Sequence, residues 1–511
     1  MSSVRSETTA GKAEDDIGRR GTGSVKSAAL WAASSQYSLF ALQFVTSVII
    51  SRFFLKPEEI GLFSVSLAAA MVLSIIQDFG LHRYIGRHPE TNRTTVRTAI
   101  AVALVLAFAL AATIFGIAGP LARFYREPGI EPILHLIAAS YLFVPWSVVP
   151  IALLARRLDF KKTFAVNFSG ALCNSVVALG LAATGHSAAS LAWGMIAQAV
   201  ARAVVAQVCQ PTPPGRGIDW NEVRAILKFA SGAIPIYLSG GIGTRTPDMI
   251  VGRLQGMTAA GLFSRGAALA AQLHTLVVGA VGAIYFPTFA RLKDEGENLG
   301  PYYERVVAAH GVIVWPAMVL LAVLSQPVIL LLYGPGWSEA APLLAFVALA
   351  ECCFVALPLH VDLPMLFGRL RQLLYFNIAD TALSIATLIA GAAIGIEAAA
   401  ASRVVYGLCW FCLYAAWMQR MIGFSWRQAL RIYASSALVA GTTAAPALFA
   451  ITVWRTPATL GFTGLVVAAG GAGLAWLASV FLFRHPAQDD LIGMARHILA
   501  PLEARLRPRT A

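Results

Sequence analysis

The chain carries Thr244-Arg245-Thr246-Pro247-Asp248-Met249-Ile250-Val251-Gly252-Arg253, followed by Gly261-Leu262-Phe263-Ser264-Arg265, and here alone several charges crowd between long apolar runs. The second segment echoes an earlier one. Gly61-Leu62-Phe63-Ser64 is the same tetrapeptide, and in that register Ile50 matches Ile250, Ala68 matches Ala268 and Ala70 matches Ala270. Each copy has a helix-length apolar run before it and another beginning at it. That is how a duplicated transporter half reads, and it predicts two halves facing one central site.

Composition agrees with a membrane setting. Of 511 residues, 58% are hydrophobic and 13% charged, with a mean hydropathy of +0.69, whereas a soluble domain has about a quarter of its residues charged. The net charge of +13 does not point to nucleic acid, because the basic residues fall in short clusters between apolar runs, where they set topology. Cys173, Cys209, Cys352, Cys353, Cys409 and Cys412 lie in or beside apolar segments, so no disulfide framework is indicated, and Cys409-x-x-Cys412 reads as helix packing rather than a metal site. The histidines form no His-x-x-x-His pair and there is no phosphate-binding loop of the G-x-x-x-x-G-K-[ST] kind, which disfavours a metalloenzyme or an ATP-driven pump.

Residues 1–24 are polar and mixed in charge and read as a cytoplasmic tail. Apolar runs of spanning length, about 20 residues each, then fall near 27–50, 60–81, 98–118, 131–154, 163–183 and 188–208. The Pro- and Gly-rich connector Pro211-Thr212-Pro213-Pro214-Gly215-Arg216-Gly217 marks a boundary that no helix crosses. Further runs lie near 225–246, 259–287, 305–332, 341–366, 373–394, 398–418, 430–453 and 459–483. The expectation is an all-α polytopic membrane protein of about fourteen helices. Its parts are an N-lobe over 25–209, a cytoplasmic linker over 210–223, a C-lobe over 224–420, two added helices over 421–484 and a cytoplasmic tail over 485–511. Leu491, Ala495, Ile498, Leu499, Leu502 and Leu506 give that tail a helical apolar stripe among arginines, a pattern that suits either a helix lying on anionic membrane lipid or a solvated tail.

Lysine and arginine set the topology. Arg83, Arg87, Arg93 and Arg97 follow the second run, and Arg156, Arg157, Lys161 and Lys162 follow the fourth. Arg291 and Lys293 follow the eighth, Arg369 and Arg371 the tenth, and Arg420, Arg427 and Arg431 the twelfth, while the alternate loops are thin in basic residues. Cytoplasmic loops keep the basic excess, so both termini are expected in the cytoplasm. With six helices before the linker, both halves enter from the same side and the repeat is parallel.

At this point the residues resemble a family. Ser51-Arg52-Phe53-Phe54-Leu55-Lys56-Pro57-Glu58-Glu59-Ile60-Gly61-Leu62-Phe63 with Asp78-Phe79-Gly80-Leu81, and Ala152-Leu153-Leu154-Ala155-Arg156-Arg157-Leu158-Asp159-Phe160-Lys161, are similar to segments of the Wzx-type, colanic-acid-exporter-like polysaccharide transporters of the multidrug/oligosaccharidyl-lipid/polysaccharide superfamily. The stretch from Asp248 to Arg253 and Gly261 to Arg265 resembles the pattern of that family's second half. The resemblance covers roughly residues 25–420. It implies a MATE-like fold and a flippase moving undecaprenyl-diphosphate-linked oligosaccharide units across a bacterial inner membrane, beside a polysaccharide polymerase and export machinery. It implies no cofactor and no catalytic residue.

A charge inside a membrane helix costs about 2.5–3.5 kcal/mol on insertion scales, so it normally faces a cavity or a partner. Arg52, Arg245, Arg253 and Arg265 are the candidate ligands for a diphosphate, because the guanidinium fork donates paired hydrogen bonds to phosphate oxygens. Arg253 also suits an interfacial position. Arg245 and Asp248 share a helix face, with Pro247 expected to break the ladder between them, and a structural ion pair there reads equally well. Asp248, Asn377 and Asp380 are the candidates for coupling to a proton or a sodium ion, Asn377 and Asp380 lying on one face of the eleventh helix; an acid satisfied by a neighbouring helix gives the same pattern. Arg202 and Arg403 occupy matching sixth positions of the two halves. Two other functions fit the architecture: a cation-coupled drug antiporter, which calls for a cavity of acids and aromatics rather than arginines, and a membrane glycan polymerase or ligase, which calls for a catalytic outer loop.

Overall fold

The computed structural model describes residues 36–74, 93–157, 159–212, 218–454 and 460–493. The expected spans begin and end partly outside these residues, as do the N-terminal tail, the middle of the Pro-rich connector, the basic cluster at Arg83 and Arg87 and most of the C-terminal stripe. Among the described residues every regular element is helical.

In chain order the helices are α1 (Gln36–Phe54), α2 (Pro57–Ser74), α3 (Arg93–Tyr125), α4 (Ile130–Tyr141), α5 (Pro145–Arg156), α6 (Phe160–Ala183), α7 (Ala189–Cys209) and α8 (Trp220–Asp294). They continue as α9 (Leu299–Val323), α10 (Ser325–Leu332), α11 (Ala340–Val355), α12 (Asp362–Leu366), α13 (Leu370–Ile394), α14 (Ile396–Ile422), α15 (Trp426–Phe449) and α16 (Gly461–Leu482). Among the described residues ten helices are long and apolar enough to cross a membrane, and the number is eleven if α4 and α5, bent by 46° at their junction, are counted as one span. The other three expected spans coincide with the two limbs of α8 and with the shorter apolar helix α11.

The chain divides into two compact units. The first holds Met1–Leu55 and Ser66–Leu238; the second holds Lys56–Val65 and Ser239–Ala511. In the first unit α6 and α7 pack closely along a seam of small residues, with Gly170 against the stem of Arg202 and Gly194 against Ala178 and Asn174. Asn174 donates to Gln198 across the same seam at 3.0 Å. Small residues allow such close approach where lipid offers no hydrophobic drive to association.

The second unit has an aromatic core, in which Tyr303 stacks on Phe424 at 5.3 Å and Trp410 and Tyr414 lie against His360. Tyr303 donates to the Pro358 carbonyl and Trp476 to that of Val312, the usual arrangement for a buried Tyr or Trp. The unit also contains the start of α2. There Pro57 opens the helix and the Glu59 carboxylate accepts the Lys56 amide at 2.7 Å, which caps two features of a helix N-terminus at once. One turn later Gly61 meets the second copy of its own tetrapeptide. A Cβ on Gly61 would run into the Met257 carbonyl, and one on Gly261 into the Pro57 carbonyl. Glycine is required at both positions by this backbone contact.

One expectation needs correction. Pro247 does not break α8; the helix continues through it, and the non-helical residue is Gly256, at φ 88° and ψ 174°. Proline removes the one amide that would bond the Gly243 carbonyl, a loss that membrane helices tolerate without breaking. Gly256 adopts a backbone conformation that only glycine takes without strain, so the bend falls there.

Candidate functional site

A cavity of about 460 Å³ lies within the second unit. The helices that build it are the two limbs of α8, α11, α13 and α14. The first limb of α8 contributes Arg245 and Asp248, and the second contributes Ser264, Ala267, Ala268 and Ala271, whose small side chains leave the space open. Glu351 and Phe354 come from α11, Asp380 and Thr381 from α13, and Arg403, Tyr406 and Trp410 from α14.

Helical spacing explains the polar wall. On α14, positions 403, 406, 410 and 414 recur at three and four residues and so share a face, and α13 offers 377, 380 and 384 in the same way. The two faces meet. Tyr406 donates to the Asp380 carboxylate at 2.7 Å, and about two turns along α14 Tyr414 donates to the Asn377 side-chain carbonyl at 2.9 Å. Arg403 donates from Nη1 to Ser384 at 2.9 Å, and its guanidinium carbon sits 4.5 Å from the Tyr406 ring centroid, within cation–π range. Opposite, His274 Nδ1 and Glu351 Oε2 are 2.6 Å apart. Phe354, Trp410 and His360 form an apolar corner, with ring centroids of Phe354 and Trp410 at 5.3 Å and of His360 and Trp410 at 4.8 Å.

Of the residues singled out from sequence, Arg245, Asp248, Asp380 and Arg403 line this cavity. Asn377 is buried behind it, on the same face of α13 as expected. Arg245 and Asp248 feel each other's charge without forming a direct ion pair. Arg265 is half-buried on α8 and Arg253 is exposed just before Gly256; neither lines the cavity. Arg52 is exposed at the end of α1 in the first unit, its guanidinium over the neighbouring Phe53 ring at 5.8 Å. The sequence reading set Arg403 beside Arg202 as a matching position without placing it in a cavity, and it missed the membership of Tyr406 and Trp410. The signal was present for one pair: Arg403 and Tyr406 are three apart on an apolar helix, matching the spacing of Asn377 and Asp380.

Comparison with known proteins places this geometry in context. Residues 49–342 match the sequence profile of a family described as polysaccharide biosynthesis protein. The succinoglycan biosynthesis transport protein ExoT of Rhizobium meliloti is 26% identical over 401 residues, covering 78% of each chain. The lipopolysaccharide biosynthesis protein WzxC of Escherichia coli is 22% identical over 372 residues, covering 71% of this chain and 74% of that one. Among solved structures, the lipid II flippase MurJ in an inward closed conformation superposes with a TM-score of 0.71 at 10% identity, covering 91% of this chain and 99% of that one. That likeness shows a shared fold.

Proposed function

Since the chain belongs to the polysaccharide biosynthesis protein family, we propose that it is a flippase carrying a polyprenyl-diphosphate-linked oligosaccharide across a bacterial inner membrane, with both termini in the cytoplasm. The relatives named for succinoglycan biosynthesis transport and for lipopolysaccharide biosynthesis support this class of cargo. The observation that carries the reading is the cavity: beside the carboxylates of Asp248, Glu351 and Asp380 it presents two arginines and an aromatic corner, groups that bind an anionic diphosphate and stack against the apolar faces of sugar rings. Arg245 and Arg403 are the groups within reach of a phosphate there. Arg52, Arg253 and Arg265, off this cavity, are assigned to other stages of the head group's passage.

Energetics permit transport without ATP. A lipid diphosphate carries roughly two negative charges, and an inside-negative potential favours outward movement by about 2.3 kcal/mol per charge per 100 mV. Coupling to a proton or sodium ion through Asp248, Asn377 and Asp380 would then serve to reset the empty carrier.

The test is direct. The purified protein is reconstituted in vesicles with a fluorescent polyprenyl-diphosphate-linked sugar, and a membrane-impermeant quencher reports how much label reaches the opposite leaflet. The expected result is protein-dependent equilibration between leaflets. Protein-free rates in vesicles containing folded protein would refute the reading.

A further inference from the structure

We infer that Arg202, at the seam of α6 and α7 in the first unit, is a binding station for the phosphate of the head group in transit. This rests on the flippase reading above and adds to it a site on helices that do not line the cavity of the second unit.

α7 runs from Ala189 to Cys209, a length that matches a hydrocarbon core about 30 Å thick. At about 1.5 Å of rise per residue, Arg202 stands about 10 Å inside the Cys209 end and about 5 Å from the middle of the helix. An arginine near the end of a span turns its head to the nearer surface. This one turns the other way, because a helical side chain leans toward the helix N-terminus, which for Arg202 is away from Cys209. The contacts agree: a Cβ on Gly170 would run into Arg202 Cγ and lie 2.9 Å from its Cδ and 3.3 Å from the carbonyl oxygen of Gln198, one turn nearer the N-terminus. Gly170 is thus the notch that admits the arginine stem.

Within that notch Nε is sealed without a hydrogen-bond partner, and among the described residues no carboxylate pairs with the guanidinium. Arg403, by contrast, donates to Ser384 and lies over the Tyr406 ring. A cation held in an apolar span with its donors unused is poised for an anion that comes and goes, and the guanidinium fork fits phosphate oxygens. Beside it, the contact from Asn174 to Gln198 uses one donor and one acceptor; the side-chain carbonyl of Asn174 and the amide nitrogen of Gln198 that remain suit a sugar hydroxyl. Depth identifies which phosphate arrives. Resident lipids keep theirs in the polar interface outside the hydrocarbon core, so a phosphate that meets Arg202 has left that interface, as a head group does while crossing.

The experiment uses the full chain in detergent, polyprenyl-diphosphate-linked glucose as the probe, and phenylglyoxal, which labels accessible guanidinium groups. Mass spectrometry of the peptide that holds Arg202 reads the label. At a probe concentration about ten times its dissociation constant, labelling of Arg202 is expected to slow about tenfold by mass action. Phosphatidylglycerol or inorganic pyrophosphate at the same concentration should leave it unchanged. The protection should persist in Arg245→Gln with Arg403→Gln and be lost in Gly170→Ala, which keeps the charge but displaces the stem. In the vesicle assay Arg202→Gln should slow flipping about tenfold, and Arg202→Lys should keep part of the rate. Four results each overturn the inference and leave the flippase reading standing: no protection in the wild-type protein, equal protection by either control, loss of protection in the folded double variant, or full flipping by inserted Arg202→Gln. If Arg202→Gln fails to insert, full protection in folded Gly170→Ala overturns it as well. Protection at Arg202 in a folded protein that flips nothing keeps the phosphate site and removes the flippase reading.

Discussion

Ser264 donates its hydroxyl to Ser64 at 3.0 Å, and the two stand 200 positions apart at the ends of identical tetrapeptides. The glycines that open those tetrapeptides hold the helices at backbone contact. A side chain at Gly61 or Gly261 meets a carbonyl that cannot swing aside, so Gly61→Leu and Gly261→Leu are each expected to abolish transport and lower the protein's abundance in the membrane. Ser64→Ala removes one neutral hydrogen bond and costs about 1 kcal/mol. Leucine variants with normal abundance and transport would remove this crossing from the core of the fold.

Arg403 separates charge from geometry. Arg403→Gln is expected to cut flipping at least about tenfold, equivalent to about 1.4 kcal/mol. Arg403→Lys should keep part of the activity as a point charge without the fork. The vesicle assay, scaled to the amount of inserted protein, gives both numbers. Full activity in Arg403→Gln would assign the diphosphate to other groups.

Arg245 and Asp248 line one cavity without a direct ion pair, so their losses are expected to combine rather than cancel. Arg245→Gln with Asp248→Asn should transport no better than the worse single variant. Rescue in the double variant would mean that the two act as a pair and that Arg245 does not bind the cargo.

Reporter tags at residue 1 and after Ala511 are expected to read as cytoplasmic, because the basic excess alternates in phase with about fourteen spans. A periplasmic signal from either end would break that phase and the parallel repeat with it.

His485, beyond the end of α16, is buried, and burial pushes its imidazole down to about 4. Its Nδ1 accepts the Ala487 amide at 3.1 Å, so Nε2 carries the hydrogen given to Ser436 at 3.0 Å. The folded state resists protonation that the unfolded chain accepts from its ordinary value near 6.5 downward. Stability is therefore complete above about 6.5 and falls as pH drops toward 4. In detergent, the thermal midpoint of the wild-type protein should drop between about pH 7 and pH 5, and His485→Gln should reduce that drop. An equal drop in both would place the acid sensitivity elsewhere.

Much of the fold was legible because hydropathy and repeat are local signals. The apolar runs near 163–183 and 373–394 differ by only a few residues from α6 and α13, since each is a continuous stretch bounded by polar residues. Gly61 and Gly261 were visible as a match, though not as a contact, because only the folded chain brings positions so distant together. The site was partly legible. Asp248 and Asp380 stand out as acids in apolar helices, and both line the cavity. His274 and Glu351 are 77 positions apart, on helices whose mutual packing no periodicity specifies. Pro247 misled because a membrane helix tolerates a proline in its interior, and the break falls instead at Gly256, whose backbone conformation only glycine adopts without strain.

The crossing at Gly61 and Gly261 has a reciprocal form: the first glycine touches residue 257 and the second touches residue 57. Contacts that exchange in this way are locally two-fold: a rotation that carries the helix turn at Gly61 onto the turn at Gly261 carries each opposing carbonyl onto the other. Neither glycine can therefore be replaced alone, because a Cβ on either one meets the backbone of the opposite turn whatever residue stands at its counterpart.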